Sequence, residues 1–196
     1  MSAAKGYKIR NQYGLYYLTF TIVGWADIFT RQVCKDIIID SFKYCITNKG
    51  FRLYAFVIMS NHVHLIASAD EESKGLSAIV RDLKKHTSKE LINWVTTSKT
   101  ESRRDWLKMI FEYYAKYNKR NKKYQVWQQD NRPIDLLYPR FIMQKLNYIH
   151  QNPVKAGLVA HAAEYCYSSA KNYAGQVGKL EVELIDFGMM EGYVPV

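Results

Sequence analysis

The sequence has few of the features that mark disulfide-rich, membrane-spanning or disordered proteins. Its three cysteines, Cys34, Cys45 and Cys166, are far apart and form no CxxC pair, so neither a disulfide framework nor a zinc–thiolate site is indicated. No apolar run approaches the ~20 residues that a membrane span needs, and the first residues lack the apolar core of a secretory signal. Flexible linkers and internal repeats are not evident. These absences predict a soluble, cytoplasmic protein.

The composition is that of one globular domain. The chain has 196 residues, of which 48% are hydrophobic, and apolar and aromatic residues are spread along its length. A chain of this size can bury one core without disulfides or a structural metal. We therefore expect a single domain over 1–196.

Positive charge is concentrated in one quarter of the sequence. Lys and Arg number 28 against 18 Asp and Glu, a formal net charge of +10. The stretch 74–123 has 14 basic and 5 acidic residues, which is +9 of that total. Such clustering favours a polyanionic partner such as nucleic acid over a merely solvated helical surface.

Hydrophobic periodicity predicts an alternation of strands and helices. The segments typical of strands are 15–23, 51–59, 62–67 and 124–127. The segments typical of helices are 30–48, 73–95, 103–117 and 138–151. The last helix should end near Asn152, because Pro153 disfavours a helical conformation in the residue before it. The order predicts an α+β, ferredoxin-like split βαβ fold, with an antiparallel sheet, helices on one face and an extra basic helix.

Two histidines flank one valine in the third predicted strand. Side chains two apart on a strand point to the same face, ~6.5 Å from each other along the strand. His62 and His64 can therefore converge on one metal ion, while Val63 points to the other face. The same spacing also suits a hydrogen-bonded pair or two surface side chains.

The second cluster is at the end of the last predicted helix, in NYIHQNPV. Tyr148 shares a helix face with Gln151 and Asn152, at i+3 and i+4, whereas His150 should face elsewhere. A phenol and a carboxamide would then lie side by side. Because the chain has 16 tyrosines, packing or surface exposure is the ordinary role for any one of them.

The stretches VIMSNHVHLI and YIHQNPVKAGLV resemble the paired signatures of the HUH single-strand DNA transposases with one catalytic tyrosine. Within this family the sequence resembles the REP-associated tyrosine transposases and the related insertion-sequence transposases. The resemblance spans about residues 16–173 and includes RDLKKHTSKE, YQVWQQDN and YCYSSAKNY. Each motif alone is weak evidence for this family, but the two motifs in this order are quite specific for it.

This resemblance implies a site and a chemistry. His62, His64 and Asn152 would hold a divalent cation, Mg²⁺ or Mn²⁺, with Gln151 as a weaker alternative to Asn152. Tyr148 would be the nucleophile that cleaves and rejoins single-stranded DNA through a 5′-phosphotyrosine intermediate. An unperturbed phenol, with a pKa of about 10, is a poor nucleophile at neutral pH, so the cation would help by stabilising charge on the phosphate.

The implied partner is single-stranded DNA, typically a hairpin. Family members act as monomers or as homodimers in which each tyrosine serves the partner's site. The basic residues predicted to bind the nucleic acid are Arg81, Lys84, Lys85, Lys89, Arg103, Arg104, Arg120, Lys122 and Lys123. Aromatic residues interleaved with them can stack on bases, although we expect Trp94 and Trp106 to be core residues of their helices.

The domain outline that follows is a core over about 14–160, a basic helical insertion over about 96–123 and a C-terminal extension over about 160–196. The insertion is longer than a minimal family member needs, and is either an added DNA-contact surface or a packed helix. Two other functions fit the residues: a non-catalytic ferredoxin-like module that binds single-stranded DNA or RNA, and a transposase retained by a host as a repeat-binding protein. Continued binding after chelation of metal, without any covalent adduct, would distinguish a binding module.

Overall fold

The structure is a computed structural model and describes residues 8–118 and 122–187. Arg120, one of the predicted DNA-binding residues, lies outside these ranges. The helices and strands in chain order are β1 (Tyr16–Thr21), α1 (Gln32–Lys49), β2 (Phe51–Ile58), β3 (His62–Ala69), α2 (Leu76–Thr97), α3 (Arg104–Lys116), β4 (Ile134–Asp135), α4 (Pro139–Lys155) and α5 (Ala170–Tyr173). Short 3₁₀ turns lie at Val23–Trp25, Ile28–Thr30 and Ala162–Glu164.

Within the described residues the strands form one antiparallel sheet in the order β2-β3-β1-β4. In the pairing of β1 with β3, Thr21 lies opposite His62 and Thr19 lies opposite His64. The order places β3 between β2 and β1, which is the split βαβ arrangement. The predicted α+β class and ferredoxin-like topology are confirmed.

One face of the sheet carries the main hydrophobic core. Leu18 and Phe20 of β1 point to this face and are fully buried, together with Val63 of β3 and Phe42 of α1. Helices α1 and α2 cover this face, and α3 joins them through Phe111. Burial of side chains of this size stabilises the fold by roughly 1.5–3 kcal/mol each.

The opposite face is covered by α4, which differs from the expectation that all helices lie on one face. Leu146 and Ile149 of α4 are buried against Tyr17, Val57 and Ile66 of the sheet. The apolar residues of β2 and β3 do not alternate with polar ones, because both faces of these strands are buried. Helix α4 therefore covers this second face of the sheet, including the end of the face that carries polar side chains.

The fourth strand lies further along the chain than predicted. Segment 124–127 is not a strand: Val126 and Trp127 are buried, and Trp127 makes a single bridge to Ile22. The paired strand is Ile134–Asp135, which is exposed and lies opposite Tyr16 and Tyr17. Apolar character in 124–127 reflects packing into the core, where Trp127 Nε1 donates to Thr87 Oγ1 at 3.0 Å.

Helix α4 continues beyond the predicted end near Asn152. Pro153 is buried inside its last turn, where only one backbone hydrogen bond is lost. The helix ends instead at Lys155, and Gly157, two residues beyond it, has a φ of +69°. Leu158 N–H donates to Pro153 O and Gly157 N–H to Val154 O, both at 2.9 Å, which is a Schellman motif.

None of the helices in the described ranges combines the length and the apolar character that crossing a membrane requires.

Candidate active site

His62 and His64 lie side by side at the start of β3. Their ring centroids are 4.6 Å apart with an interplanar angle of 66°. Val63 points to the opposite face and is fully buried in the main core, which anchors the strand. His64 is 5% exposed and His62 is half-buried, so the pair is recessed rather than fully exposed on the surface.

Tyr148 of α4 reaches this pair within the same chain. Its ring centroid lies 5.3 Å from that of His64 and 6.2 Å from that of Tyr17. Leu146 and Ile149 are buried on the sheet, and they fix the helix so that Tyr148 lies at the edge of the histidine pair. The phenol is 40% exposed and is therefore accessible from solvent.

The hydrogen bonds of Asn61 determine which nitrogen of His62 is free. Asn61 Nδ2 donates to Trp25 O at 3.3 Å, so the amide oxygen faces His62, where Oδ1 lies 2.6 Å from Nδ1. An amide oxygen only accepts hydrogen bonds, so Nδ1 carries the proton. The Nε2 lone pair of His62 is therefore available to a metal ion.

His64 is held through the same ring nitrogen. Its Nδ1 lies 2.7 Å from Tyr17 Oη and 3.0 Å from Thr19 Oγ1, which leaves Nε2 for a ligand. Burial, followed by the nearby His62 and Lys145, lowers the pKa of His64 to about 3. Burial also lowers the pKa of His62. Both imidazoles are neutral at pH 7, as metal coordination requires.

Asn152 lies one turn beyond Tyr148 on α4. Its Nδ2 donates to Tyr148 O at 2.7 Å, and among the described residues its Oδ1 accepts no hydrogen bond. Gln151 is half-buried beside it, whereas His150 is buried away from the site, with Nε2 2.9 Å from Ser169 Oγ. No cluster of three or more His, Cys, Asp or Glu suited to a metal occurs in the described part of the chain.

The donor set therefore fits a divalent cation if an amide oxygen takes part. Two neutral imidazoles with free Nε2 atoms lie together, and the oxygen of Asn152 is unengaged on the adjoining helix. Mixed nitrogen and oxygen ligands without thiolate suit Mg²⁺ or Mn²⁺.

Lysines place positive charge around the phenol. Lys145 Nζ lies 4.6 Å from the ring centroid of Tyr17 and 5.5 Å from that of Tyr148. Lys155 Nζ lies 6.0 Å from the Tyr148 centroid. Cations at these positions attract a phosphate to the tyrosine.

Sequence reasoning missed Tyr17, Thr19 and Lys145. Lys145 precedes Tyr148 by three residues and so shares its helix face, a spacing that could have identified it. Tyr17 and Thr19 are two residues apart on β1 and therefore point to the same face of the sheet. Their contact with His64, however, depends on the register of β1 against β3, which no local pattern gives.

Six of the predicted DNA-binding residues are exposed. They are Arg81, Lys85, Lys89, Arg104, Lys122 and Lys123. Arg81 pairs with Asp82 and Arg104 with Asp105, but such exposed pairs are weak and leave the cations able to bind phosphate. A cleft of about 1040 Å³ beside α2 is lined by Arg81, Lys85 and Tyr124 among others.

Lys84 and Arg103 are engaged inside the protein. Lys84 Nζ donates to Gln128 O at 2.7 Å and to Asn131 Oδ1 at 2.6 Å, and burial lowers its pKa to about 8. Arg103 pairs with Asp27 and Glu101, at 2.5 and 3.2 Å. These internal partners compete with a phosphate, so neither residue is a free surface cation.

The tryptophans differ from expectation in one case. Trp94 is half-buried and packs against the main core, in line with the core role expected for it. Trp106 is 43% exposed on α3, so the expectation of a core position is wrong there. Helix α3 buries Leu107 and Phe111 instead, and this rotates Trp106 toward solvent.

Comparison with known proteins gives a family match and similar folds. A model of the family described as Transposase IS200 like matches residues 14–114. The structure of a REP-associated tyrosine transposase bound to a REP hairpin is similar over 99% of both chains, with 18% identity and a TM-score of 0.56. A crystal structure described as a proposed transposase from Deinococcus radiodurans R1 covers 76% of this chain and 95% of its own, with 17% identity and a TM-score of 0.42. Among curated proteins no match was found.

Proposed function

The chain belongs to the IS200-like transposase family, and from this premise we propose that it cleaves and rejoins single-stranded DNA with Tyr148 as nucleophile. The observation that carries the proposal is the 5.3 Å separation of the Tyr148 and His64 rings. A phenol accessible to solvent beside two imidazoles with free Nε2 atoms suits attack on a bound phosphodiester.

His62, His64 and the side-chain oxygen of Asn152 would hold the divalent cation, Mg²⁺ or Mn²⁺. When bound, the cation positions the scissile phosphate and stabilises the charge that builds on its oxygens. Tyr17 and Thr19 keep the His64 ring oriented through Nδ1, and Asn61 does the same for His62. Burial lowers the pKa of both imidazoles, which favours the neutral form that can bind a cation.

In the cleavage step, Tyr148 Oη forms a bond to phosphorus and the bond from phosphorus to the 3′ oxygen breaks. The phenol loses its proton and the leaving oxygen gains one, which leaves a 5′-phosphotyrosine and a free 3′-hydroxyl. No bond energy is lost to hydrolysis, so another 3′-hydroxyl can reverse the step and join strands. Lys145, 5.5 Å from the Tyr148 centroid, stabilises negative charge on the reacting groups.

The proposed substrate is a single-stranded DNA hairpin. The REP-associated relative of similar fold is bound to a REP hairpin. The exposed cations Arg81, Lys85 and Lys89 of α2, with Arg104 of α3, supply positive charge for the phosphates.

The experiment incubates the protein with hairpin DNA and Mg²⁺ or Mn²⁺ and looks for a covalent protein–DNA adduct in a denaturing gel. Tyr148→Phe should abolish the adduct and leave DNA binding nearly intact, whereas His62→Ala should abolish it through loss of a cation ligand. Tyr138→Phe is the matched control, because Tyr138 is 60% exposed at the start of the same helix.

An adduct that persists in Tyr148→Phe would show that another residue is the nucleophile. If the protein binds DNA but forms no covalent adduct with any divalent cation tested, the non-catalytic binding module would be favoured instead.

A further inference from the structure

Trp25 has an unusual conformation next to the candidate active site. Its φ is +54°, in the left-handed region that bulky side chains rarely adopt. Its indole is 60% exposed, so hydrophobic burial does not compensate for the backbone strain. Strained, exposed residues beside an active site point to a role in ligand binding.

The turn that carries Trp25 is held from two sides. Trp25 O accepts a hydrogen bond from Asn61 Nδ2, the same amide that orients His62. Gly24, with φ +61°, packs against α3 so closely that an added Cβ would lie 3.0 Å from Tyr114. The indole is thereby presented at a fixed position, with its centroid 6.4 Å from that of His62.

Further exposed aromatic rings continue from this turn along α3. The Tyr113 centroid lies 5.5 Å from that of Tyr114 and 5.0 Å from that of Tyr117. Tyr113 and Tyr117 are more than half exposed. Lys108 and Lys116 are exposed on the same helix. Rings interleaved with cations are the pattern of surfaces that bind single-stranded nucleic acid.

We propose that Trp25 is a stacking subsite for the unpaired base next to the scissile phosphate, and that Tyr113, Tyr114 and Tyr117 continue the path of the strand. The inference rests on the proposed function of the neighbouring site. Because the Trp25 ring lies 6.4 Å from the His62 ring, a base stacked on Trp25 would be within one nucleotide of a phosphate held beside His62. A second copy of the chain is a less suitable occupant, because Lys108 and Lys116 would meet like charges there.

The test measures DNA binding under conditions that prevent cleavage, with the Tyr148→Phe protein and without divalent cation. The two probes are a short oligothymidylate and an abasic strand of equal length, which share phosphates but differ in bases. Trp25→Gly suits the positive φ and removes the ring, while Trp25→Phe keeps a ring. Tyr44→Ala is the control, because Tyr44 is 58% exposed on α1 toward the other end of the sheet.

We expect the parent protein to prefer the base-bearing strand, and Trp25→Gly to reduce that preference roughly 5- to 100-fold. Trp25→Phe should retain most of it, Tyr44→Ala all of it, and the thermal midpoint of Trp25→Gly should not fall. An unchanged preference in Trp25→Gly would overturn the proposal, as would a parent protein that binds both strands equally. A change only in oligomeric state, measured by sedimentation, would assign Trp25 to a contact between copies and equally overturn it. Because the adduct assay depends on Tyr148 and not on this preference, failure here leaves the proposed chemistry standing.

Discussion

At the scale of single residues, the candidate site depends on side chains that orient the histidines. Asn61 fixes the tautomer of His62, and Tyr17 with Thr19 contacts Nδ1 of His64. Burial raises the pKa of Tyr17, so its hydroxyl stays protonated over the whole physiological range. Such outer-shell groups generally affect metal affinity strongly although they do not touch the ion.

Tyr17→Phe should weaken cation binding by about 10- to 100-fold, because His64 loses its shorter hydrogen bond at Nδ1. The measurement is the Mn²⁺ concentration that gives half of the maximal covalent adduct. The matched control is Tyr16→Phe, since Tyr16 is equally buried on the same strand but faces the main core. If Tyr16→Phe and Tyr17→Phe need the same Mn²⁺ concentration, the orienting role of Tyr17 is wrong.

At the scale of elements, the sequence predicted the strands and helices well wherever the hydrophobic residues follow a clear strand or helix periodicity. The histidine strand, α1 and α3 agree closely with their sequence patterns. Segment 124–127 was predicted wrongly because Val126 and Trp127 have the residue types of a strand, yet they fill the core beside Thr87. The position of α4 on the second face could not be predicted from the sequence either, because the pattern of an amphipathic helix does not specify which face of a sheet the helix covers.

The end of α4 offers a test of helix termination. Gly157→Ala should lower the free energy of unfolding by about 1 kcal/mol, because φ is +69° and no atom lies near the added methyl group. Pro153→Ala, which restores a backbone N–H in the last turn, should change it less. Denaturant unfolding of both variants gives the comparison. A larger loss in Pro153→Ala would mean that burial of the proline ring, rather than the glycine, stabilises this terminus.

Glu101 connects the start of α1 to the start of α3. Its side chain is fully buried and pairs with Arg31 at 2.7 Å and Arg103 at 3.2 Å. The hydrogen bond from Arg31 is the main reason that the pKa of Glu101 falls to about 2. The carboxylate therefore stabilises the fold above its unfolded pKa, about 4.5, and this contribution is lost as pH falls toward 2.

Glu101→Gln should accordingly cost about 1–3 kcal/mol of unfolding free energy at pH 7. The difference from wild type should shrink as pH falls from about 4.5 toward 2, where the native carboxylate also becomes protonated. Urea unfolding over this range measures it. Asp105→Asn is the control, since the Asp105 side chain is 91% exposed and forms a surface ion pair with Arg104. A constant difference at all pH values would show that packing, not charge, accounts for the effect.

At the scale of the whole molecule, the candidate site combines parts that are far apart in sequence. The spacing of His62 and His64 indicated a shared face, and the helical spacing of Tyr148 and Asn152 indicated another. That the two faces meet was suggested only by resemblance to a family, because packing of α4 on the sheet is a long-range property. The charge total likewise did not reveal that Lys84 and Arg103 are used inside the protein.

This distinction between exposed and internal cations gives a prediction for the salt dependence of DNA binding. Each phosphate contact contributes about 0.7 to the slope of log affinity against log salt for single strands. Lys85→Ala should therefore reduce that slope by about 0.7, whereas Lys84→Met should leave it unchanged, because Lys84 Nζ is bound to Gln128 and Asn131. Titrations at several salt concentrations compare these neighbours on α2. Equal reductions would require Lys84 to leave both partners and reach the DNA, which would mean that the loop after Trp127 opens when the strand binds.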